Sequence, residues 1–317
     1  NTGKDRLNEI VYRLSRPWLL GAALVFVFIP ATKICQALES GAEFLRIDTD
    51  ARAGAMSSAG AALSQGISAI TYNPAGIASI GKGEAVLSHS AWYLGSAHDF
   101  VGAGMVLGSG VRGQGAGDRS ESNSPFVIGL SFTRLSSGSM EGRTASRSKA
   151  GGYSAYDQAA SLALAKQYGE YSLGGAVKYI ESSIAGVKGT GYAVDLGIKR
   201  GLKGLPVSVG VAVQNLGPGI KYISQRDQLP LSVSAGIMFM PLPGFMLNFD
   251  ARRYVYDKYT TYSLGTEYAL FGGPGTMSGL SLRGGVNGGA GQGAAGAFST
   301  GAGIRLLNAD LDYAMSP

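Results

Sequence analysis

Apolar residues occupy every second position in several runs between residue 192 and the end of the chain. The clearest runs are 231–239, 192–198 and 309–313, in which small or polar residues stand between the apolar ones. Consecutive side chains of a strand point to opposite faces, so each run has one apolar face and one polar or tightly packed face. The runs follow one another without helical periods between them, which predicts an all-β, antiparallel fold.

Strand candidates fill the chain after residue 82. They lie near 84–94, 98–108, 125–135, 156–168, 171–183, 191–200, 205–214, 230–240, 244–255, 259–270, 279–288, 298–306 and 308–316. Single-chain bacterial barrels have an even number of strands, so these thirteen candidates predict a transmembrane antiparallel β-barrel of fourteen. We expect residues 83–317 to form this barrel and its C-terminal closing strand to be missing from the sequence.

The connections between the candidates alternate in length. Short links at 169–170, 201–204, 241–243 and 307 alternate with longer polar stretches at 136–155, 184–190, 215–229 and 289–297. Outer-membrane barrels have short periplasmic turns and longer outer loops. The longer stretches are therefore predicted to be outer loops, although the polar stretch 109–124 falls on the side of the short turns.

Residues 1–37 have the features of a secretory signal peptide. Four basic residues between Lys4 and Arg16 precede an apolar run from Trp18 to Ile29, and Cys35-Gln36-Ala37 approximates a cleavage site. The run is shorter than the ~20 residues of a spanning helix. A membrane anchor and lipidation of Cys35 are the alternatives. Cleavage after Ala37 would leave a mature chain without cysteine.

Composition limits the possible chemistry. The net charge is +6, and residues 1–37 account for half of it with five basic and two acidic residues, so nucleic acid is not an expected partner. Only two histidines, His89 and His98, are present, too few for an ordinary metal cluster. No serine stands out as a nucleophile with a neighbouring base. We therefore expect no enzyme activity, no catalytic residue, no metal and no cofactor.

Several charged residues share the polar parity of the strands. A charge that faces lipid at mid-depth costs about 2–4 kcal/mol for Arg or Lys, so these residues are expected to face the lumen. Their mixed signs predict ion pairs that hold an interior segment rather than a selectivity ring. The residues are Asp195, Lys199, Asp250, Arg252, Arg283, Asp310 and Asp312.

Residues 38–82 differ from the rest of the chain. Alanine and glycine dominate, and Asn73-Pro74 followed by Ala75-Gly76 is a turn signal. The segment has too few large apolar residues to form a core of its own, so we expect it to pack inside the barrel as a hatch. A flexible periplasmic extension is the alternative.

Three parts of the sequence resemble outer-membrane proteins of the PorV/PorQ type. Residues 50–56 together with 72–77 are similar to the N-terminal signature of that family, and its Asn-Pro-Ala core is shared with FadL-type fatty-acid channels. Residues 213–221, followed by 229–231, resemble the family's mid-barrel loop, and 309–314 its penultimate strand. Together the matches span roughly residues 41–317.

The resemblance implies a fourteen-stranded barrel with an N-terminal hatch in its lumen. PorV-type proteins are attributed to type IX secretion, in which they bind the C-terminal signal domains of exported cargo and shuttle them to an attachment complex. In FadL-type proteins, the hatch lies on the path of a hydrophobic ligand. Both readings place the chain in the bacterial outer membrane, in contact with lipid and with lipopolysaccharide.

Two hypotheses for the function follow. A PorV-like protein would bind secreted cargo through the 215–229 loop, with Leu216, Gly217 and Pro218 as a rigid turn and Lys221, Tyr222 and Arg226 as exposed contacts. A FadL-like transporter would admit long-chain fatty acids or other hydrophobic molecules along an apolar path near Ile70, Tyr72 and Ile77.

Overall fold

Thirteen strands of the described chain form one antiparallel sheet, in which each strand pairs with the next of the thirteen along the chain. Two further short strands, Ile220–Tyr222 and Gln225–Asp227, form a hairpin that pairs with the strand Val187–Gly201. The computed structural model describes residues 40–108, 124–272, 278–289 and 298–316. The all-β, antiparallel prediction is confirmed, whereas closure into a fourteen-stranded barrel stays a prediction. The predicted signal peptide and most of 109–124 and 289–297 lie outside the described residues.

The strands have the following bounds: β1 Gly83–Ala91, β2 Ala97–Leu107, β3 Phe126–Arg143, β4 Lys149–Tyr168, β5 Tyr171–Ile184, β6 Val187–Gly201, β7 Val207–Leu216, β8 Ile220–Tyr222, β9 Gln225–Asp227, β10 Ser232–Leu242, β11 Phe245–Tyr254, β12 Tyr259–Phe271, β13 Ser278–Gly289, β14 Phe298–Leu306 and β15 Ala309–Met315. In the described ranges they are accompanied by one short α-helix, α1 (Ala51–Ala55), and by the 3₁₀ helices Glu43–Arg46, Ile67–Thr71, Pro74–Ser79 and Tyr93–Gly95. Among the helices of the described ranges, none is long and apolar enough to cross a membrane.

In contrast to most soluble proteins, this sheet exposes its large apolar side chains on one face and buries small and polar side chains on the other. On β6, Tyr192, Val194 and Leu196 are exposed, and Leu196 keeps 52% of its surface accessible, whereas Ala193 and Asp195 between them are buried. The same alternation recurs on β10, where Val233 and Ile237 are exposed and the intervening serines are buried. We call the face with the large apolar side chains the outer face and the face with small and polar side chains the inner face.

The core lies between the inner face and the N-terminal segment, defined here as residues 40–82. The largest fully buried apolar side chains include Met56, Ile67, Ile70 and Ile77, all of which belong to this segment. They pack on small residues of the strands, such as Ala163, and on a few larger ones, such as Phe100 and Met238. The inner face therefore carries mostly small side chains, because the segment supplies most of the large apolar side chains of the core.

Two of the predicted loops are wrong. Residues 136–155 mostly extend β3 and β4 into a long hairpin, with Ser139 opposite Ser154, and only residues 144–148 connect them. Residues 184–190 likewise extend β5 and β6 around a two-residue turn of Ala185 and Gly186, whose φ angles are 49° and 83°. Both stretches lack an apolar stripe, but backbone pairing forms a hairpin without one, and at 185–186 a turn with two positive φ values closes it.

The connections define two ends of the sheet. At the loop end lie residues 144–148 between β3 and β4 and residues 217–231 between β7 and β10. At the turn end, two residues suffice in the connections 169–170, 243–244 and 307–308. The 215–229 stretch, predicted as a loop, contains the β8–β9 hairpin.

Candidate functional site

Several glycines of the inner face lie where the backbone of the N-terminal segment comes very close. A Cβ added at Gly174 would overlap the backbone of Pro74, and one at Gly210 would overlap the carbonyl of Ala61. At Gly265 an added Cβ would lie 2.6 Å from the Cβ of Met56. Side chains here are excluded because no Cβ tolerates a neighbour at such distances. The strands and the segment therefore fit each other at the level of the backbone.

Asn73 joins two parts of the segment to the sheet. Its Nδ2 donates to the carbonyl of Ala61 at 2.7 Å and to the carbonyls of Ile198 at 3.2 Å and Val211 at 3.3 Å. Its Oδ1 accepts from the backbone N–H of Ala75 at 3.1 Å, which caps the 3₁₀ helix Pro74–Ser79. The predicted turn residues Asn73, Pro74, Ala75 and Gly76 are all fully buried.

Polar side chains of the strands satisfy the backbone of the segment. Between α1 and the 3₁₀ helix Ile67–Thr71 the segment is irregular, so its buried backbone groups need partners from elsewhere. Lys199 donates to the Ser64 carbonyl at 2.5 Å, and Asp250 accepts from the Ala61 N–H at 2.6 Å. Other such bonds run from Ser299 to the Ala55 carbonyl (2.9 Å), from Gln214 to the Thr71 carbonyl (2.5 Å) and from Asn248 to the Ala59 carbonyl.

A chain of ion pairs joins α1 to three strands toward the turn end. Arg52 forms a bidentate pair with Glu267 of β12, at 2.7 and 2.9 Å. Glu267 also accepts from Arg283 of β13 at 2.6 Å, and Arg283 reaches Asp312 of β15 at 2.5 Å. Asp310, on the same face, forms a separate half-exposed pair with Arg305 at 2.7 Å. Arg283 and Asp312 are therefore linked to the segment only through Glu267 and Arg52, and Asp310 makes no pair with it.

Asp195 fixes the base of the 215–229 stretch from within. The Lys178 ammonium lies 2.6 Å from Asp195 Oδ2, and the Asn215 N–H donates to Asp195 Oδ1 at 2.7 Å. Asn215 has a positive φ of 61°, and its side chain bridges Lys178 at 2.9 Å and the Pro230 carbonyl at 3.1 Å. Both charged side chains are almost fully buried. This cluster sets the direction in which the chain leaves β7.

Beyond Asn215 the chain folds back as the β8–β9 hairpin. Lys221 and Arg226 are paired across it and are exposed, as are Leu216 and Pro218, and the Pro218 carbonyl accepts from Arg226 at 3.2 Å. Gly217 is half-buried and lies so close to the Tyr192 carbonyl that a Cβ would overlap it.

Tyr222 differs from the expectation of full exposure, because its half-buried ring packs over Gly189. On the inner side of the 217–231 connection, Ile220 and Leu229 are buried against Phe44 of the N-terminal segment.

The described N-terminal segment begins beside this hairpin at the loop end. The N–H of Gly41 donates to the carbonyl of Gln228 at 2.8 Å. Arg46 pairs with Asp257 in the β11–β12 turn, donates to Tyr259 at 2.8 Å and stacks on Tyr254 with its guanidinium carbon 4.3 Å from the ring centroid. The hairpin, the turn and the start of the segment therefore form one continuous surface.

A polar pocket remains inside, beside Tyr72. Asp48, Gln214 and Arg252 line it, and its volume is about 10 Å³, which is room for roughly one water molecule. Burial raises the pKa of Tyr72 well above its ordinary value, and the Asp48 carboxylate adds to this. Tyr72 therefore stays protonated and donates to Asp48 Oδ1 at 3.0 Å. In the described residues, no group of three or more His, Cys, Asp or Glu side chains could hold a metal ion.

No protein-family model matches the chain, and no curated protein matches it in sequence. The PorV/PorQ resemblance therefore rests on the quoted motifs alone. Residues that the sequence argument missed include Lys178, Glu267 and Arg52. Lys178 and Glu267 have the same strand parity as the buried Ala176 and Gly265, so the period-two pattern could have identified them. Arg52 stands on a helix of five residues that has no periodic signal.

Proposed function

We propose that the chain is a non-enzymatic bacterial outer-membrane β-barrel that binds secreted proteins at its outer rim, in a PorV-like role in type IX secretion and cell-surface attachment. The outer face supports a membrane location. Exposed Leu, Ile, Val, Phe and Tyr side chains alternate along most strands, which amounts to far more contiguous apolar surface than a soluble monomer exposes. Lipid on that face would remove the cost of this exposure.

The contacts of the N-terminal segment support a curled sheet. Glu84 on β1 accepts from the Ile67 N–H at 3.1 Å, while Gly54 of α1 lies beside Ala314 on β15. β1 and β15 are the two ends of the pairing order, and both touch one short segment. A barrel whose lumen holds the segment as a hatch brings these ends together.

The packing of the hatch favours cargo binding over the uptake of hydrophobic molecules. Ile70, Tyr72 and Ile77, which would line an apolar path, are instead buried against the strands and against Asp48. Uptake along this path would require the hatch to break the Asn73 hydrogen bonds and the Arg52–Glu267 pair. A filled lumen excludes a folded cargo domain as well, so binding at the rim fits the packing best.

The β8–β9 hairpin is the proposed contact surface. Ile223 at its tip is 82% exposed, and Lys221 and Arg226 flank it. An exposed apolar tip between two cations is suited to a partner with an apolar spot and acidic neighbours. The hairpin is held from below by Asp195 and Asn215, so it presents these groups in one fixed orientation.

The test replaces the contact groups and keeps the fold. Deleting the hairpin would also remove the buried Ile220, so we favour the triple variant K221Q/I223S/R226Q. The matched control is R147Q/K149Q at the tip of the β3–β4 hairpin, also at the loop end. Surface display of secreted proteins and uptake of a long-chain fatty acid are measured in the source bacterium.

Lost display in the triple variant, with normal display in the control, supports cargo binding. Normal display in the triple variant contradicts it. Fatty-acid uptake that needs this protein and survives the triple substitution would favour the FadL-like alternative instead. Type IX secretion components in the source genome are a further requirement of the cargo hypothesis.

A further inference from the structure

A groove of about 570 Å³ crosses the outer face of β4 to β7. Its floor is Gly175, whose strand neighbours Leu164 and Leu196 form the side walls. Leu173 and Ile198 extend the walls. The groove exists because the one outer position between two leucines carries no side chain.

A lysine stands where the groove approaches the turn end. The Lys166 ammonium lies 4.7 Å from the ring centroid of Phe126 and 4.9 Å from that of Tyr168. Lys166 points to the same outer face as Leu164, two residues before the end of β4. In the described part of the chain, no carboxylate is within ion-pair distance of Lys166. The two rings thus hold an uncompensated cation at the mouth of an apolar groove.

Its neighbours at the turn end add to the positive charge. Arg200 and Lys203 both form ion pairs with Glu170, at 3.0 and 3.1 Å. Because these two cations share one carboxylate, the group keeps a net positive charge. Arg200 also stacks on Tyr171 at 4.8 Å. Cations and aromatic rings at one level of a barrel are typical of the border between hydrocarbon and headgroups. An anion at this level would meet three cations and one carboxylate.

We propose that this groove is a specific site for an anionic phospholipid, with one acyl chain lying over Gly175 and the phosphate on Lys166. The proposal rests on the proposed membrane location. Charge complementarity selects the occupant, because an uncharged lipid would leave Lys166 unpaired and a soluble anion would leave the groove empty.

The test measures lipid binding to the full chain folded in detergent micelles, by native mass spectrometry. Phosphatidylglycerol and diacylglycerol with the same acyl chains are titrated separately. We expect phosphatidylglycerol to bind about fivefold more tightly than diacylglycerol. This factor corresponds to the attraction between one lysine and an anionic headgroup. K166Q should lower this preference, whereas K149Q, at the loop end and away from the groove, should keep it.

A second variant fills the groove. A Cβ at Gly175 would lie 3.6 Å from both the Asp195 carbonyl oxygen and Leu196 Cδ2, which is ordinary contact, so G175L should fold and should weaken both lipids. An unchanged preference in K166Q, or unchanged binding in G175L, overturns the site. A wild-type chain that does not insert into phospholipid vesicles would overturn the proposed membrane function instead.

Discussion

The Asn73 side chain occupies the space that a side chain at Gly197 would need. A Cβ at Gly197 would overlap Asn73 Oδ1, and the ring of Pro74 would lie 3.0 Å away. The Asn73 side chain can therefore lie against β6 only because the strand residue at this point is a glycine. Similar relationships link Gly174 to Pro74 and Gly265 to Met56.

Replacing a glycine by alanine is therefore expected to lower the stability on the inner face and to leave it nearly unchanged on the outer face. We expect Gly197→Ala to lower the free energy of unfolding by about 1–3 kcal/mol or more, because the overlap forces the hatch away from β6. Gly175→Ala, on the outer face, should change it by less than about 0.5 kcal/mol. Urea titration of the chain folded in detergent measures both. Equal losses would show that the glycines do not mark contact with the hatch.

Asn73→Ala should loosen the hatch from both strands that it bonds. The change leaves the carbonyls of Ala61, Ile198 and Val211 without their amide donor, at a cost of about 1–3 kcal/mol. Limited proteolysis should then cut residues 53–80 faster than in the wild type. Asn308→Ala, in an exposed turn at the turn end, is the control and should cut like the wild type. Unchanged protection in Asn73→Ala contradicts a role of this side chain in ordering the hatch.

Glu267→Gln should be the most costly change in the ion-pair chain. It leaves Arg52 and Arg283 facing each other in a mostly buried site, and removing one partner of a buried pair costs about 3–5 kcal/mol. The double variant R52Q/E267Q should regain part of this loss because it removes one stranded cation. Asp310→Asn, which breaks the half-exposed pair with Arg305, should cost about 1 kcal/mol or less. A double variant as unstable as the sum of its singles would refute the coupling.

The strand pattern was predictable because the exposed outer positions and the packed inner positions carry opposite residue types at period two. The charged positions Asp195, Lys199, Asp250, Arg252 and Arg283 could be assigned to the inner face for the same reason. The long hairpin of β3 and β4 could not be predicted, since both of its faces beyond Ser136 are mostly polar, and backbone pairing and the Lys149–Glu141 ion pair join its strands. The partner of each charged residue could not be predicted either, because partners such as Arg52 and Glu267 lie 215 positions apart in the sequence.

The proposed membrane location requires that the outer face contacts lipid while the hatch fills the inner side. Single spin labels at Leu196 and Leu264, on β6 and β12, test it directly in a Cys35→Ser background reconstituted into phospholipid vesicles. Labels at Ile223 on the hairpin and Leu205 at the turn end are the controls. We predict that oxygen, which partitions into lipid, relaxes the labels at 196 and 264 more than a water-soluble nickel complex does, and that the order is reversed at 223 and 205. Nickel access at 196 and 264 equal to that at 223 would contradict the account.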